Sequence, residues 1–348
     1  MREFMSHHKS SVIFTIITMI LGFGYGLYLF GNIPQALGVV FIMGVLGVLE
    51  VSLSIDNAIV NAKVLEKMSE VWQKRFLTWG LLIAVFFMRL VFPILIVAMA
   101  GNIGMLEALQ LAINDQEKYS AVLTSSHIVI AGFGGAFLFL VALDYFFDVE
   151  KDVHWIAIIE KQLSKLGERK SISIVVTLLV MYYFYTILPE TEAMKFFISG
   201  IFGIVTHEIV KLIGDLMEAR RELTSSVAKT GFASFMYLEI LDASFSFDGV
   251  LGALVISKDI FIIMGGLAVG AMFVRSITIQ LVKSGTLNEY KYLEHSAFWA
   301  ILTLATIMFT STLMHIPEII TGVLSISFIA AGYCHSVIIN KRESRDSL

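Results

Sequence analysis

Apolar stretches of about 20 residues recur along the whole sequence, and they restrict the possible folds more than any other feature. A helix rises about 1.5 Å per residue, so about 20 apolar residues cross a hydrocarbon layer of about 30 Å. The chain is 57% hydrophobic and only 16% charged, which excludes an ordinary soluble domain. We therefore predict an all-α, polytopic membrane bundle of about ten spans. The predicted spans are 11–30, 36–62, 76–100, 127–147, 172–188, 195–217, 230–257, 260–282, 295–315 and 317–340.

Basic residues are distributed unevenly between the predicted loops. If successive loops alternate sides, 20 of the 25 Lys and Arg residues fall on one side and three on the other. The positive-inside rule then predicts that both termini are cytoplasmic, in a multi-pass protein of the plasma or inner membrane. The net charge of -4 and the scattered basic residues predict no nucleic-acid partner. Cys334 is the single cysteine, which excludes an intrachain disulfide and a thiolate metal cluster.

A more polar segment, 149–171, separates the first four predicted spans from the last six. It divides the chain into a first transmembrane half, 1–148, and a second, 172–348. Within this linker, apolar residues recur at helical spacing and predict an amphipathic helix. Such a helix fits the surface of the inner leaflet, although docking of a partner is an open alternative. The apolar residues are Trp155, Ile158, Ile159, Leu163 and Leu166.

Two predicted spans carry the same polar pattern. "EVSLSIDN" begins at Glu50 and "DASFSFDG" begins at Asp242, so acid, serine, serine and aspartate coincide in order. The next spans also match, because "GLLIAVFFMR" ends on Arg89 and "GLAVGAMFVR" ends on Arg275. The two copies begin five crossings apart, an odd number, and therefore run in opposite directions. This predicts an inverted internal repeat, the common architecture of secondary transporters.

The acids in these spans predict a functional site. A charged side chain at the bilayer centre costs about 2.5–3.5 kcal/mol, so such residues need partners. Residues six apart point about 120° away from each other on a helix, so each motif should unwind for its acids to meet one ligand. Ser54 and Ser246 would then bond the freed backbone groups. The candidate ligands are Glu50, Asp56, Asn57, Glu239, Asp242 and Asp248.

An all-oxygen pocket of carboxylates, an amide and backbone carbonyls suits a hard or intermediate divalent cation. Mn²⁺, Mg²⁺ and Ca²⁺ therefore rank ahead of Cu⁺ and Zn²⁺, and ligand type does not separate the first three. Arg89 and Arg275 are candidate counter-charges for the carboxylates when metal is absent. Alternatively, each pairs with one acid for structure only.

A second polar element lies in "THEIV" of the predicted sixth span. His207 and Glu208 are surrounded by apolar residues, where a proton relay or a gate is conceivable. Adjacent helical residues point in different directions, so a structural or interfacial role is the alternative.

The paired motifs, with "SIDNA" from Ser54, resemble those of the TerC family of integral membrane proteins, within the LysE-type exporter group. The resemblance extends over roughly residues 36–315. It implies export of metal ions from the cytoplasm, above all manganese, with an association with tellurium resistance. It also implies that the family's acidic motifs correspond to the six candidate ligands named above. Gly249 departs from the pattern, because it stands where the first copy has Asn57.

These features predict a transporter rather than an enzyme, with a divalent cation as its substrate and no prosthetic group, and the resemblance implies that this cation is above all Mn²⁺. No phosphate-binding loop of the type GxxxxGK[ST] occurs, so we expect proton exchange rather than ATP hydrolysis to supply the energy. Three alternatives stay open: an exporter of amino acids or other organic cations, a membrane-embedded metal-dependent or aspartic enzyme, and a non-transporting membrane scaffold.

Overall fold

The computed structural model describes residues 2–80, 82–167, 171–224 and 227–346. Within these ranges the side chains of 2–8, 77, 84, 85, 100, 214, 215, 217–224, 227–230, 246–248, 251, 288, 318 and 343–346 are not described. All regular structure in the described residues is helical, as the apolar pattern predicts.

Sixteen α-helices and two π-helical segments make up the described chain. The α-helices are α1 (Arg2–Phe30), α2 (Ile33–Leu53), α3 (Ile55–Glu66), α4 (Glu70–Arg75), α5 (Phe92–Gly101), α6 (Met105–Asn114), α7 (Gln116–Ser125), α8 (His127–Phe146), α9 (Ala157–Leu166), α10 (Ile172–Ile187), α11 (Glu190–Thr224), α12 (Val227–Ile256), α13 (Ile260–Ser284), α14 (Thr286–Glu289), α15 (Leu293–Thr310) and α16 (Glu318–Asp346). The π-helical segments are Phe76–Gly80 and Ile83–Val91.

Seven helical stretches in the described residues are long and apolar enough to cross a membrane, where the sequence pattern predicts ten spans. They are Lys9–Phe30, Ile33–Leu53, His127–Phe146, Glu190–Ile213, Ile260–Ser284, Leu293–Thr310 and Ile319–Arg342. Phe86–Met99 and Ile172–Ile187 are apolar but shorter. Seven helices of this kind are those of a membrane protein.

The predicted third span is not one α-helix. Phe76–Gly80 and Ile83–Val91 are π-helical, and only Phe92–Gly101 continue as an α-helix. π-Helical turns are rare and often occur at functional positions. The sequence pattern does not predict the helices α6 and α7. Each has only ten residues and lies in a region predicted as loop.

The chain forms two compact units, each made of three stretches. The first contains Met1–Ser54, Glu70–His127 and Glu239–Gln280. The second contains Ile55–Ser69, Ile128–Leu238 and Leu281–Leu348. These boundaries follow packing between helices, and they differ from those of the sequential segments 1–148, 149–171 and 172–348.

In the first unit, α1 packs on α2, and α5 packs on α6 and α7. Glycines allow α2 and α13 to approach each other closely. A Cβ atom on Gly270 of α13 would lie 2.6 Å from the carbonyl oxygen of Gly47 and 2.4 Å from the Cβ of Glu50. Small residues at such crossings let helix backbones come into contact in membrane bundles.

Gly270→Ala is expected to lower the free energy of unfolding by about 1–3 kcal/mol, because the added methyl group overpacks this crossing. Thermal unfolding of the purified protein in detergent measures the change. Gly44→Ala is the matched control: its Cβ would have nothing within 4 Å, and alanine has the higher helix propensity. Equal stability of the two variants would contradict the close approach.

In the second unit, α15 packs on α16, α3 packs on both, and α10 packs on α11. α8 and α11 also approach closely. A Cβ on Gly132 would lie 2.5 Å from the carbonyl oxygen of Phe196, and one on Gly203 would lie 2.3 Å from that of Phe133. This crossing brings Asp144 of α8 near His207 of α11.

Candidate functional site

The first polar motif contains a helix break, as its spacing predicts. α2 ends at Leu53, Ser54 takes a non-helical conformation (φ -114°, ψ 16°), and α3 begins at Ile55. The backbone N–H of Ser54 donates to the carbonyl oxygen of Glu50 at 3.0 Å. The break therefore separates Glu50, at the end of α2, from Asp56, in the first turn of α3.

The second polar motif does not contain the predicted break. α12 is continuous through the whole stretch from Asp242 to Gly249. The hydroxyl of Ser244 donates to the carbonyl oxygen of Ile240 at 3.0 Å, the bond that serine makes inside an intact helix. The prediction that both copies unwind is thus wrong for the second copy.

Glu50 and Arg89 form a buried ion pair in the first unit. Glu50 is only 2% exposed, and Nη2 of Arg89 donates to its Oε1. The hydroxyl of Ser54 donates to the same oxygen at 3.3 Å. A Cβ on Gly249 would lie 2.8 Å from Oε2, so α12 also approaches this carboxylate. Arg89 lies in the second π-helical segment, and it neutralises Glu50.

Glu239 and Arg275, also in the first unit, are arranged differently. Glu239 is 5% exposed, and neither of its carboxylate oxygens has a hydrogen-bond partner among the described residues. The guanidinium of Arg275 stacks on Phe76, with its Cζ 4.7 Å from the ring centroid. A Cβ on Gly80 would lie 2.4 Å from Oε1 of Glu239 and 3.4 Å from Nη2 of Arg275. Gly80 therefore makes room for both groups.

Asp56 and Asn57 lie in the second unit, on α3. Asp56 is fully buried, and no described side chain donates a hydrogen bond to its carboxylate. The amide oxygen of Asn57 likewise has no hydrogen-bond partner in the described chain. Asn61, which sequence reasoning missed, is buried one turn after Asn57. The spacing of four residues signals its place on the same helix face.

The other predicted ligands, Asp242 and Asp248, lie on α12. Asp242 is half-buried. The side chains of Ser246 and Asp248 lie outside the described residues. Among the described side chains, no group of three or more His, Cys, Asp or Glu residues is arranged to hold a metal ion.

His207 and Glu208 belong to a charged cluster in the second unit. Nδ1 of His207 lies 3.2 Å from Oε1 of Glu208, so the expectation that the two side chains point apart is wrong. Asp144 completes the cluster: its Oδ2 lies 3.7 Å from Nε2 of His207 and accepts from Nζ of Lys211 at 2.8 Å. Asp144, Glu208 and Lys211 also line a cavity of about 460 Å³.

A second cluster that sequence reasoning missed surrounds Glu160 of α9. This carboxylate is fully buried and accepts hydrogen bonds from Nδ1 of His295 at 2.8 Å and Nε1 of Trp299 at 3.0 Å. The backbone N–H groups of Trp155 and Ile156 also donate to it. Burial raises the pKa of Glu160, but the bonds from His295 and Trp299 outweigh burial, and the pKa falls to about 2. Because His295 and Trp299 are 135 and 139 residues away from Glu160, no local pattern indicates these two partners.

The fold and these buried acids define a class: helical membrane proteins with ionisable groups packed among apolar helices. The chain belongs to the family described as "Protein of unknown function (DUF475)", which matches residues 55–343. This match begins at the helix break and includes Asp56, Glu239 and Arg275, whereas Glu50 precedes it. No curated protein and no solved structure matches the chain.

Proposed function

We propose that this protein is a secondary transporter that exports a divalent cation, above all Mn²⁺, by alternating access at buried carboxylates within the membrane. The main support is that Asp56 and Glu239 are buried while their carboxylates lack hydrogen bonds from described side chains. A buried carboxylate that no side chain hydrogen-bonds is costly, and native proteins compensate it with a proton or a cation. A transported cation explains why the chain retains both.

The predicted residues have different roles in this proposal. Asp56 and Asn57 are proposed ligands in the second unit, and Glu239, Asp242 and Asp248 are proposed ligands in the first. Glu50 is held by Arg89 when metal is absent, in keeping with the counter-charge role proposed for this arginine. Arg275 offsets the charge of Glu239, because its guanidinium and this carboxylate both lie next to Gly80.

The proposed architecture is a bundle of ten spans with an inverted repeat and cytoplasmic termini. The helix break at Ser54 supports it, because interrupted helices supply backbone groups at transporter sites. We propose that proton exchange through the same carboxylates supplies the energy for export.

Export by wild type is expected to lower the manganese content of cells that lack their own exporters and grow in excess manganese. Asp56→Asn and Glu239→Gln are each expected to lower this activity by at least about tenfold, because each removes a charged ligand from a desolvated site. Glu117→Gln is the matched control, because this carboxylate is 84% exposed. All proteins are compared at equal membrane levels.

Three results would contradict parts of this proposal. If wild type leaves manganese unchanged, the substrate is wrong, and other metals and amino acids come next. If Asp56→Asn and Glu239→Gln export as well as wild type, the site is wrong. If no metal or amino acid responds to wild type, the protein does not transport these substrates, in keeping with a scaffold.

A further inference from the structure

The rotation of α9 about its own axis is fixed by Glu160. The carboxylate of Glu160 is bonded to His295 and Trp299 of α15, so one face of α9 is held against that helix. The indole Nε1 of Trp155 donates to Nδ1 of His335 in α16 at 3.0 Å, which ties the start of α9 as well. The opposite face of α9 therefore has a defined direction, away from these helices.

That opposite face is apolar and basic. Ile158 is 88% exposed, and Ile159 and Leu166 are exposed beside it. Lys161 and Lys165 are exposed one helical turn from each other, and with Ile158 they line an open groove of about 650 Å³. Gln162 and Ser164 also line the groove, so its lining combines cationic and hydrogen-bonding groups with an isoleucine.

The contacts of α9 also fix its position along the length of the neighbouring membrane-length helices. His295 and Trp299 lie in the first two turns of Leu293–Thr310, a helix of membrane-spanning length. His335 lies near the end of Ile319–Arg342, another such helix. Only ten residues join α8 to α9, and only five join α9 to α10. α9 therefore lies level with the ends of the spans, where a membrane surface meets water.

We infer that α9 binds anionic phospholipids at this membrane surface. Ile158 and Leu166 enter the boundary between headgroups and acyl chains, while Lys161 and Lys165 contact the lipid phosphates. An amphipathic helix with an apolar face and flanking lysines has the composition for such binding, and lysine stems cover apolar surface while their charged ends reach the headgroups. A neutral protein partner would leave the two lysines without opposite charges.

The test uses the full-length chain with Cys334→Ser, so that one introduced cysteine carries the label. Ile158→Cys is labelled with the environment-sensitive fluorophore NBD and placed in nanodiscs of phosphatidylcholine, with or without phosphatidylglycerol. Nitroxide groups on the acyl chains then report contact with the bilayer. NBD at Asp152→Cys, an exposed polar position before α9, is the control.

With phosphatidylglycerol present, we expect a blue-shifted emission at position 158 and at least about threefold more nitroxide quenching than at position 152. The added double variant Lys161→Gln/Lys165→Gln should remove most of the difference between the two lipid compositions, because each lysine favours an anionic surface. A labelled protein that elutes as a single species in size-exclusion chromatography shows that the variants remain folded.

Three results would overturn the inference or a part of it. A water-like emission at position 158 in both lipid compositions means that α9 does not enter the membrane surface. A blue shift in detergent without phospholipid that grows with protein concentration means that a second copy of the chain covers this face. Equal quenching with and without phosphatidylglycerol overturns the role of the lysines. None of these results depends on whether the protein exports manganese.

Discussion

Arg89→Leu is expected to lower the free energy of unfolding by about 3–5 kcal/mol, because it removes one partner of a buried ion pair. In wild type, Arg89 neutralises Glu50 in the first unit. After the substitution, Ser54 is the donor among the described side chains that remains bonded to this carboxylate, at 3.3 Å. One neutral hydrogen bond does not offset the free-energy cost of desolvating a carboxylate that is only 2% exposed.

A double-mutant cycle with Glu50→Gln measures the pair itself. The cycle compares wild type, Arg89→Leu, Glu50→Gln and the double variant by thermal unfolding in detergent. We expect the double variant to be more stable than Arg89→Leu alone, since a neutral glutamine is cheaper to bury than an unpaired carboxylate. Additive effects of the two substitutions would contradict a direct ion pair.

Glu160→Gln is expected to lower the free energy of unfolding by about 3 kcal/mol at neutral pH. In the folded protein the pKa of Glu160 is about 2, against an ordinary value of 4.5, and each unit of difference corresponds to about 1.36 kcal/mol. Because the folded state holds this carboxylate ionised, the stabilisation is complete above pH 4.5. It is lost as the pH falls from 4.5 through 2.

The pH dependence distinguishes this carboxylate from a general loss of packing. Unfolding of wild type and Glu160→Gln is compared at neutral pH and near pH 2.5, and we expect most of the difference to disappear at the lower pH. Glu117→Gln is the control, because an exposed pair such as Glu117 with Lys258 contributes little. A stability difference that stays constant with pH would show that hydrogen-bond geometry, not ionisation, explains the effect.

The sequence predicts the helical class well, and the ten spans stay a prediction beside the seven membrane-length helices of the described residues. Long apolar runs determine helices because an unpaired backbone group is costly in hydrocarbon. The π-helical stretch around Arg89 was missed because an apolar run does not distinguish a π-helix from an α-helix. The helices α6 and α7 were missed because ten residues are too few to cross a membrane. The amphipathic helix α9 was predicted, and it occurs at Ala157–Leu166.

The candidate site was only partly predictable. The cost of burying acids in an apolar run singles out Glu50, Asp56 and Glu239. The residue spacing also predicts the break at Ser54. The similar motif at Asp242 folds into a continuous helix instead, because the outcome depends on the packing around each copy and not on the motif alone.

The sequence by itself determined that this protein is helical, that it has helices able to cross a membrane, and which acids lie among apolar residues. These properties depend on local hydrophobicity and on backbone hydrogen bonding. Only the tertiary structure decided which acids are neutralised: Arg89 bonds Glu50, while the oxygens of Glu239 stay without a hydrogen bond in the described chain. It also decided that Glu160 is bound by His295 and Trp299. Such pairings join residues far apart in the chain, and helix packing alone brings them within bonding distance.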